Sequence, residues 1–417
     1  MIRPRLSLTL ALSIVISVGC EKADTPQPTF TVRDSAGIEI VESSAPLLGP
    51  DAWTISEEPV LQIGEVKGED AYLFAGINSQ RNGDFPFVFR WNTGRIVVCN
   101  GMDSTVRIFD RRGEFIRMVG GKGEGPGEFL FIEACWPTAS GMVVAADNYL
   151  SFLDLDGAVT RKVQIPSVDG GRVFPYGVFE DGSYVVIRPH DGPSDPGIHD
   201  AAAGVFVINA AGELSGELFM MKQDRRMREG RYSITQQFGP IGSITGSANG
   251  IFYGWPEAYS ISEFNQEGVT SRVISRDWNP VPVREEDVAW WLTFRDTLAK
   301  FQGNDSPGFR EAYQKQTSIM VYPEYRAPFD ELHVDRTGHL WVRNTHPRYD
   351  RAYASFRVRF PYEWTWDVFD PEGRWLTTLT LPSSFRAHDI GEDYILGVWK
   401  DDMDVEYVRM YALDRGG

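Results

Sequence analysis

Short apolar runs, each closed by an Asp or Asn that stands three residues ahead of a Gly, set the rhythm of this chain. The fullest example spans 94–129. Residues 95–99 form one apolar run, 106–109 alternate into the turn Asp110-Arg111-Arg112-Gly113, and 115–119 form a third run. In such a turn the Asp side chain bonds its own backbone and the Gly takes a positive φ without strain. Each run is short enough for a strand and too short for a helix. The pattern therefore predicts an antiparallel meander.

The turn recurs at Leu153-Asp154…Gly157, Ile208-Asn209…Gly212, Phe264-Asn265…Gly268, Phe369-Asp370…Gly373 and Leu413-Asp414…Gly417. Upstream of each lies a strand introduced by Gly: Gly94, Gly141, Gly182, Gly250, Gly338 and, more weakly, Gly391. Two markers in constant order, six times each, predict an all-β, six-bladed β-propeller. Its expected extent is 53–417. Near the start, 60–64 followed by Lys67-Gly68-Glu69 and Leu73-Phe74 matches 117–120 followed by Lys122-Gly123-Glu124 and Glu128-Phe129. An outer strand at one end of the chain and a blade lacking one at the other predict closure of the ring by the N-terminal strand. Closure hides sheet edges that invite aggregation.

One segment breaks the β rhythm. Between Gly268 and Gly373 the turn spacing roughly doubles, and 284–316 accounts for the excess. Glu285, Glu286 and Asp287 suit a helix N-terminus, and Val288, Trp291 and Leu292 follow a helical period. After the breaker at 303–308, Phe309, Ala312 and Tyr313 begin a second short helix. The expectation is a helical insertion lying on one face of the ring as a packed cap or as a ligand wall, with Trp290 and Trp291 facing different ways.

Composition adds little to the fold and more to the partners. A hydrophobic fraction of 42% with 13% aromatics can fill six blades, and the net charge of −17 argues against nucleic acid or anionic lipid as a partner. Residues 1–20 read as a signal peptide, with Arg3 and Arg5 ahead of a short apolar core at 6–18. Residues 21–52 read as a tether and a small hairpin turning at Ser35-Ala36-Gly37, so the folded body is expected to begin near Trp53. Besides Cys20 there are two cysteines. Cys99 and Cys135 are expected as half-buried thiols in neighbouring strands, with pairing in an oxidising compartment as the alternative.

Two resemblances follow from these residues. Ser17-Val18-Gly19-Cys20 resembles the bacterial lipobox, which implies lipidation of Cys20. Glu21 rather than Asp after it implies an outer-membrane anchor in the bacterial cell envelope. The connector Gly120-Gly121-Lys122-Gly123-Glu124-Gly125-Pro126-Gly127-Glu128-Phe129 resembles that of NHL-repeat propellers, and the whole resembles the six-bladed propeller lipoproteins of bacterial envelopes. Such a match specifies fold better than function.

No nucleophile elbow, metalloprotease helix or phosphate loop is present. Propeller lyases of the NHL type hold zinc with channel histidines; here the repeat places only His333 and His388 on inner strands. Calcium-dependent propeller lactonases use carboxylates and Asn, for which Asp147, Asn148, Asp335, Asn344 and Asp389 are candidates by type. Aromatic and Arg-rich rims suit recognition, and Trp255, Tyr259, Arg343 and His346 form the candidate ligand set, with Trp341 and Trp364 read as packing. The leading expectation is a non-enzymatic lipoprotein that binds an envelope protein, a peptide or a glycan and needs no cofactor. The alternative is a hydrolase or lyase with zinc or calcium in the channel.

Overall fold

The computed structural model describes residues 29–416 apart from 78–86, 126, 180, 191, 247–249, 302–305 and 349–361. Cys20, the signal segment, the tether up to residue 28 and Gly417 lie outside the described residues. The chain is a six-bladed β-propeller.

Blade one comprises Val88–Arg90, Ile96–Asn100, Thr105–Phe109 and Phe115–Gly120. Blade two comprises Ile132–Thr138, Gly141–Ala146, Tyr149–Asp154 and Val159–Gln164. Blade three (174–235) carries a fifth strand, and blades four (243–276) and five (329–381) repeat the meander. Blade six has three strands of its own, Phe385–Ile390, Tyr394–Lys400 and Glu406–Asp414. Leu61–Ile63 supplies the fourth by pairing antiparallel with Val408–Met410, and Thr54–Ile55 extends it against Leu413–Asp414. The expected closure is present.

The turn marker has a single geometry throughout. Asp110 Oδ1 accepts from the backbone N–H of Arg112 and Glu114, and Asp154, Asn209, Asn265 and Asp370 each make the same pair of bonds. The Gly three residues on sits at φ between +77° and +88° in all five, a region closed to side chains with a Cβ. These turns join third to fourth strands, so they share one face of the ring with the turns joining first to second strands. The opposite face, here the connector face, carries the second-to-third turns and the connectors between blades.

Two expectations need correction. The first concerns where the folded body begins. The hairpin Phe30–Ser35 and Ile38–Ser43 is not part of a tether: its second strand pairs parallel with the outer strand of blade four, Glu39 against Arg272 through Ser43 against Arg276. Val41 is wholly buried, and Arg272 donates to Glu39 at 2.6 Å. The chain then crosses blade five, with Leu47 and Leu48 N–H donating to the carbonyls of Trp375 and Leu376, before it closes blade six. The physical reason is the edge problem: outer strands present unpaired backbone groups, and this strap covers those of three consecutive blades.

The second concerns the cysteines. Cys99, in the second strand of blade one, and Cys135, in the first strand of blade two, are fully buried and joined as a disulfide. Strand alternation places the two side chains opposite one another across the gap between the blades. The bond staples the blades through a core that already holds Val97, Phe109, Phe129 and Met142.

Candidate functional site

Two elements rise from the connector face over blades three to five. In blade three the third and fourth strands, Gly197–Ile208 and Leu214–Glu229, outrun the second strand, which ends where Pro189 pairs with Ala203. Their far ends form a ribbon, and Tyr232–Thr235 folds back along it. The insertion follows blade four as helices α1 (Glu285–Phe301) and α2 (Pro307–Ser318). Asp287 caps α1 through the Arg284 N–H at 2.9 Å and pairs with Arg326, while Ser306 caps α2. Buried Arg295 locks the helices together, donating to Thr317 at 2.8 Å and lying 4.3 Å from the Tyr313 ring centre. Trp291 is buried against Tyr322, whereas Trp290 stacks on Phe294, so the adjacent tryptophans do face apart.

Helix α2 clasps the ribbon. Gln316 donates to the Ser233 carbonyl at 2.9 Å, Arg231 and Tyr232 share Glu311, and Lys315 pairs with Glu229. Ribbon and helices together roof this half of the face.

The roofed half takes in the sequence-derived ligand set, of which Tyr259 and Arg343 are buried and Trp255 and His346 are partly exposed. Tyr259 is 4% exposed and donates to Asp367 at 2.6 Å; burial, with the Asp367 charge beside it, pushes its hydroxyl well above the usual tyrosine range. Arg343 is 4% exposed, bound to Asp330 at 2.7 Å and to Glu331, and lies over the Trp364 ring. Both act as structural ties between strands. His346 stacks on Tyr362 at 4.4 Å, and burial, then Arg326 and Arg348, hold its imidazole below the usual value. Trp255 is partly exposed, bonds Glu257, and lies under Lys222 and Arg225 of the ribbon. The four residues share one face of the ring. Trp341 and Trp364 are buried core, as expected.

Several of the metal candidates make structural bonds. His388 sits at a register shift in the inner strand of blade six, where its Nδ1 accepts from the Phe87 N–H at 3.4 Å. His333 lies toward the far end of its strand, beside the turn-side face. Asp389 accepts from Arg90 N–H, Arg336 and Tyr394, tying three blades. Burial opposes ionisation of Asp335, but hydrogen bonds from His339 and Trp341 and the charge of Arg415 prevail, holding its carboxyl well below the ordinary range. Asn344 accepts from Arg276, and Asp147 accepts from the N–H groups of Leu130 and Phe131. Among the described residues no group of three His, Cys, Asp or Glu side chains could hold a metal ion.

Among the described residues, one arrangement that can take a ligand lies between blades two and three. A depression of about 580 Å³ opens on the connector face, lined by Phe131, Glu133, Asp147, Asn148, Ser167, Gly170 and Arg172. Asp147 and Asn148 form the two-residue turn between paired Ala146 and Tyr149, with φ of +55° and +67°. That turn aims the Asp147 carboxylate at the backbone beneath Phe131, so the Phe131 ring projects outward and is 41% exposed. Glu133, on the inner strand, pairs with Arg172 of the next connector, whose guanidinium lies 5.0 Å from the Phe174 ring centre. Burial raises the Glu133 carboxyl against the pull of Arg172. An exposed aromatic ring, a half-buried ion pair and amide and hydroxyl groups in one concavity suit recognition by stacking and hydrogen bonding. The sequence offered Asp147-Asn148 as a signal, but nothing local linked it to Arg172, which comes from the next connector.

A family model described as DUF5128, a 6-bladed beta-propeller, matches residues 87–142, which form blade one and the start of blade two. No curated protein matches the sequence. Among solved structures, a member of the DUF4221 family from Bacteroides vulgatus superposes with a TM-score of 0.51 at 9% identity, covering 87% of this chain and 98% of that one. A protein of Bacteroides fragilis described as exported gives 0.47 at 12% identity, covering 89% and 98%. At 9% identity the likeness to the first shows the fold alone.

Proposed function

We propose that this chain is an envelope lipoprotein, akin to NHL-repeat propellers, that binds a peptide, protein or glycan on its connector face and carries out no chemistry on it. The observation that carries the reading is the depression in which Phe131, Asn148, Ser167 and the Glu133–Arg172 pair converge. The buried Cys99–Cys135 disulfide supports export to an oxidising compartment. The lipobox-like segment ending in Cys20 supports anchoring, with Glu21 favouring the outer membrane. The hydrolase or lyase reading is the alternative; among the described residues no three His, Cys, Asp or Glu side chains converge to hold its metal.

Binding of the full chain to arrayed peptides and glycans tests the site. The expected result is a ligand retained by the native protein and lost in Phe131→Ala/Arg172→Ala; a ligand bound equally by both would move the site elsewhere. For the anchor, Cys20→Ala is expected to shift the protein from the membrane to the soluble fraction, and unchanged fractionation would remove lipidation.

A further inference from the structure

On the connector face of blades six, one and two, the described parts of the turns and connectors interlock. Ser104 donates to the Leu130 carbonyl and receives Gly121 N–H, Gly101 N–H reaches the Gly76 carbonyl, and Ile77 N–H reaches Glu406 at 2.8 Å. These bonds set the second-to-third turns of blades six and one side by side with the connectors 64–77 and 120–131. Apolar side chains stand out from that fabric: Met403 is 70% exposed, Val66 59%, Met102 50%, Leu130 45% and Phe131 41%. Glu65, Glu69, Asp70, Glu124 and Asp404 are exposed among them, against Lys67 and Lys122.

We propose that this rim docks a cationic, apolar protein segment, one in which Lys or Arg alternates with Leu or aromatic residues. The proposal rests on the ligand-binding reading of the connector face and names the class of ligand. Methionine and aliphatic side chains adapt to varied apolar partners. The surplus of carboxylates complements positive charge and repels anionic lipid. It also repels a second copy of a chain whose net charge is −17.

The test uses the full chain in phosphatidylcholine nanodiscs, with empty discs as blank, and fluorescence anisotropy of three labelled synthetic peptides of about ten residues: alternating Lys-Leu, Lys-Ser and Glu-Leu. The Lys-Leu peptide should bind at least about tenfold more tightly than either other, about 1.4 kcal/mol, and weaken at high salt. Phe131→Ser/Met403→Ser should reduce its affinity about tenfold. Glu65→Lys/Glu69→Lys/Asp70→Lys should turn the preference toward the Glu-Leu peptide. Melting curves matching the native chain establish that these surface variants fold. Equal binding of Lys-Ser, or affinity unchanged in both variants, overturns the proposal, as does a concentration-dependent dimer abolished by Met403→Ser. If arrayed ligands are lost in Phe131→Ala/Arg172→Ala while the Lys-Leu peptide never binds, the ligand-binding reading stands and this one falls.

Discussion

The two halves of the connector face spend their side chains differently. Over blades three to five, Tyr259, Arg295, Arg326 and Arg343 are buried in bonds between strands and helices. Over blades six, one and two, Val66, Met102, Phe131 and Met403 meet solvent without a roof of helix or ribbon among the described residues. Residue types that look like recognition chemistry in the sequence are architecture in the first half. The exposed surface of the second carries aliphatic and acidic residues on its turns and connectors. A large insertion must satisfy its own polar groups, and Arg and Tyr do that well, because their long side chains carry donors across gaps.

That contrast can be broken at several depths. The deepest cut is Arg343→Ala, which would leave Asp330 and Glu331 buried, each under a tenth exposed, without their cation. The expected cost is about 3–5 kcal/mol, read from guanidinium denaturation; a loss under about 1 kcal/mol would mean that the roofed half is not held by this cluster. Next is the staple below the open half. Cys99→Ala/Cys135→Ala opens a link across 36 residues of sequence and should cost about 3 kcal/mol. A melting temperature that does not move on removing it would show that blade packing alone holds blades one and two.

A gentler probe is pH. In the unfolded chain the His346 imidazole has its ordinary value near 6.5, and its folded value lies lower because of burial and the charges of Arg326 and Arg348. Protons therefore bind the unfolded chain first, and stability should fall as pH drops below about 6.5 toward the folded value. His346→Phe should flatten that slope between pH 7 and 5.5; an unchanged slope would place the titration elsewhere. The smallest effects are expected on the open half. Phe131→Ala, Met403→Ser and Glu124→Lys should each stay within about 0.5 kcal/mol of native stability while altering binding. Destabilisation beyond about 1 kcal/mol at any of them would make that position structural, like its counterparts under the roof.

How much of this could be read in advance depends on the range over which each feature is encoded. The turn at Asp110…Gly113 and its repeats are complete within five residues, so the marker, the strands around it and the closing segment 60–64 were all legible. The helical insertion was legible for the same reason, since its acidic first turn and apolar spacing lie within one element. The hairpin was legible as a hairpin, but its docking on blade four was not, because parallel pairing with residues more than 200 positions away leaves no local trace. The ligand set was legible in its place on one face. Trp255, Tyr259, Arg343 and His346 do lie at strand ends on one face, as the repeat implied, but which of them a neighbouring blade covers depends on the packing between blades.

The sequence by itself determined the number of blades, the order of strands within each, the closure at the N-terminal end and the place of the helices, because each of these follows from local turn chemistry repeated at intervals. Only the tertiary structure decided that Cys99 and Cys135 join, that the N-terminal strap covers blades four to six, and that Arg172 meets Glu133 beside Phe131. Those contacts are made between blades, where the closing of the ring, and no periodicity along the chain, brings the side chains together.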